Sequence, residues 1–167
     1  INSDNLDAAI EEAGAGIVRD GLKPVDVVVV TGAAHGFGRA IARRLARDGA
    51  RLAIWDIVDE GGEETVALCR EAGAEASFFH CDMGDADNIA DAAKALLNQF
   101  GTVYAVVNNA GIHPRAPSID VPLEMWNRTL AVNLTGSFLA CQAFGRQMMD
   151  NKRGVIINFA SGRAIQG

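Results

Sequence analysis

The stretch Thr31-Gly32-Ala33-Ala34-His35-Gly36-Phe37-Gly38 carries residue types that can do chemistry. It follows the β-branched run Val27-Val28-Val29-Val30 and opens an amphipathic segment. Each glycine has its own task. Gly32 permits a tight exit from a strand, Gly36 puts no side chain in the way of a diphosphate, and Gly38 lets the following helix lie close to the strand. The N–H groups at the helix start, together with the helix dipole, then favour the negative charge. His35 and Phe37 sit in the same loop and belong to the expected binding set. Asp56 ends a second apolar run, Leu52-Ala53-Ile54-Trp55, 18 residues past Gly38, with Ile57 beside it. A carboxylate there accepts hydrogen bonds from ribose hydroxyls and repels the extra phosphate of NADP. His35 pulls the other way, because a cation before Gly36 can hold a 2′-phosphate. An imidazole that is mostly neutral near pH 7 is a poor substitute for Arg or Lys. The expected cofactor is therefore NAD, with NADP second.

Strands and helices must alternate to position these residues. Leu6, Ile10, Ala13 and Ile17 recur at helical spacing and predict an acidic helix over 5–19, capped by Ser3 or Asp4 and broken at Gly21–Pro24. Strands are expected over 27–30, 51–55, 76–81, 103–107 and 154–159. Helices are expected over 36–47, 60–72 and 85–100, with one long helical region over 123–149. Repeated βα units imply right-handed crossovers and an α/β, doubly wound parallel sheet with helices on both faces. Residues 1–24 then form an N-terminal helical extension, and 25–167 a nucleotide-binding domain.

Composition narrows the function. Apolar residues make up 49% of the 167 and charged residues 22%, as in ordinary globular domains. A net charge of −6 supplies no basic field, so nucleic acid and anionic membranes are not expected partners. No apolar run approaches the ~20 residues of a membrane span, and the acidic N-terminus does not read as a secretory leader. Cys69, Cys81 and Cys141 are odd in number and far apart, which argues against disulfides or a zinc site. They are expected to be small core residues in a reducing, cytoplasmic setting.

Further motifs make the reading specific. Gly32-x-x-x-Gly36-x-Gly38 is joined by Cys81-Asp82-Met83, Asn108-Asn109-Ala110-Gly111, Asn133 within Val132-Asn133-Leu134-Thr135-Gly136, and Ser161 within Asn158-Phe159-Ala160-Ser161. From Val25 to Gly167 the chain resembles the N-terminal portion of the classical short-chain dehydrogenase/reductase family. The resemblance implies a Rossmann-like sheet with five strands present and the family's C-terminal strands and helices missing. It also implies that Asp82 bonds the adenine amino group while the Met83 N–H approaches the ring. Asn109, Ala110 and Gly111 would line the adenosine-ribose side. Asn133 would hold a water in a proton relay, and Ser161 would donate a hydrogen bond to the substrate oxygen.

The family's acid/base is the tyrosine of a Tyr-x-x-x-Lys motif beyond the serine, and its place falls past Gly167. The single tyrosine, Tyr104, cannot serve, because Asn108 stands where the lysine would be. A longer parent protein is expected, with a complementing second chain or a non-catalytic NAD-binding module as alternatives. For the parent the implied activity is NAD-dependent interconversion of a small-molecule alcohol and a carbonyl, in a homo-oligomer (dimer or tetramer). On its own, a five-strand portion of such a fold should be poorly soluble or depend on another chain. His113, Arg115 and Arg163 could meet an anionic substrate group, though solvated loop residues are at least as good a description.

Overall fold

Val27–Thr31 forms strand β1 and is buried along its whole length. Stiff β-branched side chains suit a strand covered on both faces. In this computed structural model, which describes Ala8, Glu11, Ile17 and residues 21–160, β1 is followed by α1 (Gly36–Arg47), β2 (Arg51–Asp56), α2 (Asp59–Glu71), β3 (Ala76–His80), α3 (Ala86–Phe100) and β4 (Ala105–Asn108). A 3-10 turn (Ser118–Asp120), α4 (Leu123–Leu130), a π-helical stretch (Ala131–Gly136), α5 (Ser137–Asp150) and β5 (Val155–Asn158) complete the order.

The sheet is parallel, in the order β3-β2-β1-β4-β5. On one face Val28 and Val30 pack with Ile41 and Leu45 of α1 and Val66 of α2. On the other, Val29 and Trp55 pack with Ile89 and Leu96 of α3 and Phe144 of α5. The Trp55 and Phe144 rings lie 5.7 Å apart at 53°. Because β1 has β2 on one side and β4 on the other, the connections leaving β1 and β4 diverge. That divergence opens a crevice at the carboxyl end of the sheet.

Three expectations need correction. The fourth strand begins at Ala105, whose partner is Val28. Tyr104 stands just before it, with the Arg153 guanidinium 4.0 Å from its ring centroid. The region 123–149 is not one regular helix but is interrupted by the π-helical stretch. There the chain runs so close to the β3–α3 loop that a Cβ on Gly136 would fall on the Met83 carbonyl oxygen. Cys69 and Cys81 are buried as expected, but Cys141 is only half-buried.

The helix expected over 5–19 lies mostly outside the described residues. Ala8, Glu11 and Ile17 are helical, and Ile17 is fully buried in the α1–α2 core. The Glu11 carboxylate pairs with Arg44 of α1. The Tyr104 hydroxyl donates to the Ile17 carbonyl at 3.4 Å. Arg153, just before β5, closes the same end of the sheet by donating to the Asp26 carboxylate and to the Gly21 carbonyl.

Candidate functional site

A cleft of about 380 Å³ opens at the carboxyl ends of the strands. From the sequence-predicted set, Gly32, His35, Phe37, Asp56, Ile57, Asp82, Met83, Asn109, Ala110 and Gly111 line it. Gly36 and Gly38 do not. Gly36 has φ +55° with open space where a Cβ would stand, while a Cβ on Gly38 would collide with the Gly32 oxygen and the Asn109 amide. Gly38 therefore sets the distance between α1 and β1 rather than facing a ligand. The N-cap of α1, His35, makes no side-chain cap bond, and the first turn of α1 carries no acid. The loop can thus accept a diphosphate on the helix N-terminus.

Thr31 is the hub of this corner. Its buried hydroxyl accepts the N–H groups of Asn109 and Ala110, both at 3.0 Å, and lies 3.4 Å from the Val107 carbonyl. The Asn109 side chain returns two bonds, from Nδ2 to the Thr31 and Gly32 carbonyls at 2.9 and 3.1 Å. The loop after β4 is stitched in this way to the loop after β1. Asp56, half-buried, accepts from the Ala34 N–H at 2.8 Å and from the Val58 N–H at 3.0 Å. Its carboxylate ties the loop after β1 to the loop after β2 and lies on the cleft surface.

On the far wall Asp82 accepts the Gly84 N–H at 2.8 Å, and both its oxygens receive Arg128 Nη2, at 2.8 and 3.0 Å. Burial raises the Asp82 carboxyl, but the Arg128 hydrogen bond, the Gly84 N–H and the Arg128 charge outweigh it and hold the group below the usual carboxylate range. Beside it, burial pushes the Cys81 thiol up to about 12, so Cys81 is an inert wall residue.

Asn133 stands in the π-helical stretch. Its Oδ1 accepts the Ile112 N–H at 2.8 Å and its Nδ2 donates to the Ile112 carbonyl at 2.9 Å. The side chain is thus spent on holding the loop after Gly111, and its main-chain carbonyl accepts the Ser137 hydroxyl at 3.4 Å. Ser161 and Arg163 lie outside the described residues.

Sequence reasoning missed Val58, Cys81, Ile112, Arg128 and Val132 as lining residues. Cys81, Ile112 and Val132 each adjoin a motif residue and could have been found by adjacency. Arg128 had no such signal. Among the described residues, no cluster of three or more His, Cys, Asp or Glu side chains could hold a metal. No helix among them is long and apolar enough to cross a membrane.

A family model described as short chain dehydrogenase matches residues 26–167. D-threitol dehydrogenase of Mycolicibacterium smegmatis is 44% identical over 136 residues, which are 81% of this chain and 52% of that protein. Estradiol 17-beta-dehydrogenase 11 of Mus musculus is 38% identical, over 81% of this chain and 46% of its own length. A crystal structure of a metagenomic short-chain oxidoreductase in complex with NADP superposes with TM-score 0.80 at 37% identity, covering 82% of this chain and 62% of that one. NAD+-bound xylitol dehydrogenase superposes with TM-score 0.81 at 35% identity, covering 86% and 55%. The chain spans about half the length of the curated relatives it matches.

Proposed function

The chain belongs to the short-chain dehydrogenase family, and on that premise we propose that it is the dinucleotide-binding part of an oxidoreductase that interconverts an alcohol and a carbonyl with NAD. The observation that carries the reading is the cleft itself. At the switch point of the sheet it gathers the glycine loop, the Asp56 carboxylate and the Asn109–Gly111 loop around a space of about 380 Å³. The relatives' names, all dehydrogenases or oxidoreductases, point the same way.

The nicotinamide ring, when bound, takes or gives the hydride. The protein's part is to bind, to orient and to move a proton. The α1 N-terminus and Gly36 receive the diphosphate. Asp56 accepts from the ribose and opposes a 2′-phosphate, which supports NAD over NADP. Asn133 holds the Ile112 backbone with its side chain and, as the family resemblance implies, holds a water of the proton relay. Ser161 donates to the substrate oxygen. The same reading keeps residues 1–24 as an extension, since the family match begins at residue 26. It also keeps a homo-oligomer and a cytoplasmic setting, the latter supported by three unpaired cysteines.

The test is binding of NADH and NADPH to the purified protein, followed by quenching of Trp55 and Trp126 fluorescence, and then reduction of NAD by a panel of polyols and secondary alcohols. NADH should bind at least about tenfold tighter than NADPH, a difference of about 1.4 kcal/mol. Asp56→Ser should narrow that ratio and weaken NADH. A protein that binds neither dinucleotide, or prefers NADPH, overturns the reading.

A further inference from the structure

Arg128 is the one cationic side chain among the described lining residues of the cleft apart from the titratable His35. It does not point its charge at open space. Nη2 reaches both Asp82 oxygens, at 2.8 and 3.0 Å. The guanidinium also lies where a Cβ on Gly84 would be, so Gly84 is the residue that lets it reach the carboxylate. Asp82 is fixed from two more directions, by the Gly84 N–H on Oδ1 and by Asn88 Oδ1 accepting its own N–H at 2.5 Å. The carboxylate therefore has one orientation, and every hydrogen-bonding contact it makes treats it as an acceptor.

We infer that Arg128 is a positioning residue for base recognition: by holding Asp82 as an oriented, acceptor-only carboxylate it makes the cleft select a purine bearing an exocyclic amino group over one bearing a carbonyl. The inference rests on the proposed NAD-binding function and on the expectation, implied by the family resemblance, that Asp82 meets the adenine amino group. An amino group donates to such an acceptor, whereas the carbonyl of hypoxanthine faces it with a second acceptor and makes no bond to it. Without Arg128 the carboxylate loses its chelate and turns toward solvent, and the choice between the two bases disappears with it. Arg128 also joins the β3–α3 loop to α4, the helix that leads into Asn133. Merely structural effects of its loss are separated by the choice of ligands.

The experiment compares NADH, reduced nicotinamide hypoxanthine dinucleotide and reduced nicotinamide mononucleotide, which has no purine, by equilibrium binding to the purified protein and to Arg128→Met, Arg128→Lys and Asp82→Asn. The wild type should favour NADH over the hypoxanthine analogue by about tenfold, the scale of one hydrogen bond to a charged group. Arg128→Met should bring that ratio close to one through weaker NADH binding, with mononucleotide affinity unchanged. Arg128→Lys should restore part of the ratio, and Arg128→Met made in Asp82→Asn should have no further effect on it. If Arg128→Met weakens all three ligands alike while the ratio persists, Arg128 is only structural and the inference fails. Wild-type protein that binds both dinucleotides equally also overturns it, leaving the proposed function standing. Protein that binds neither dinucleotide overturns both. Should Arg128→Met not fold, Arg128→Lys carries the same comparison.

Discussion

Replacing Thr31 by valine would remove one oxygen from a fully buried side chain (0% exposed) and keep its shape. That oxygen accepts two main-chain N–H groups, from Asn109 and Ala110. Each such bond contributes about 0.5–1.5 kcal/mol net. Both amides belong to half-buried residues, so water can take up part of the loss. The expected cost of Thr31→Val is therefore about 1–3 kcal/mol, or roughly 2–4 °C in Tm for each kcal/mol in a domain of this size. The assay is urea unfolding of wild type, Thr31→Val and Thr31→Ser. The serine variant keeps the hydroxyl and loses only a methyl, which should cost about 1 kcal/mol or less. Because the same amides hold the Asn109–Gly111 loop on the cleft wall, Thr31→Val should also weaken NADH binding, and Thr31→Ser should not. Equal stability of Thr31→Val and wild type, at unchanged m, would refute the assignment of Thr31 as the hub.

Gly136→Ala should destabilise by about 1–3 kcal/mol or more, because its Cβ would meet the Met83 carbonyl. Gly145→Ala, in α5 with nothing within 4 Å of the added carbon, should instead stabilise by about 0.5–1 kcal/mol. Thermal melts of the two decide it. In native protein at pH 8, iodoacetamide should spare Cys69 and Cys81, whose thiols burial pushes up to about 11 and about 12; mass spectrometry before and after denaturation reads this out. Burial raises the Asp26 carboxyl, but the hydrogen bond and charge of Arg153 and the Lys23 N–H outweigh it and lower it on balance. Its contribution to stability is present above the unfolded carboxylate value of about 4 and is lost as pH falls below it. Asp26→Asn should flatten the stability–pH curve in that acid window and leave its shape above about pH 5 unchanged.

Much of the fold was legible because its signals are local. The β-branched run of β1, the glycines after it and the Asp56 at the end of β2 lie within one βα unit, and their types state their conformations. The strand boundary at Tyr104 was not legible. Val103 and Tyr104 have the composition of a strand, but the register with β1 starts at Ala105, opposite Val28, and Tyr104 reaches β1 only through its N–H on the Val27 carbonyl. The π-helical stretch was hidden for a related reason. Ala131–Gly136 contains nothing foreign to an α-helix, and only the approach to Met83 shows why Gly136 is needed. Asn133 was found by its motif, yet its partner is the backbone of Ile112, 21 positions earlier. Arg128 stayed invisible because the residue it grips is 46 positions away and the topology alone brings them together.

The π-helical stretch has one more consequence, for the phase of the helix that contains it. Val132, Gly136, Ala140, Phe144 and Met148 are all buried, at a strict spacing of four. In a regular helix of about 3.6 residues per turn, every fourth position drifts sideways by about 40°, so a row this long would wind off the sheet. The wider turn at its start takes back the rotation of the first step, from Val132 to Gly136, and the regular helix from Ser137 onward carries the drift of the steps that follow. Residue count within 131–136 is therefore a timing element. A wide turn of this kind holds one residue more than a regular turn, so deleting one residue there would let the stretch close as an ordinary helix with Phe144 and Met148 still facing the core, whereas adding one more would turn both by about 100°. Substitutions in this stretch can be graded by size and polarity, whereas an added residue acts on everything downstream.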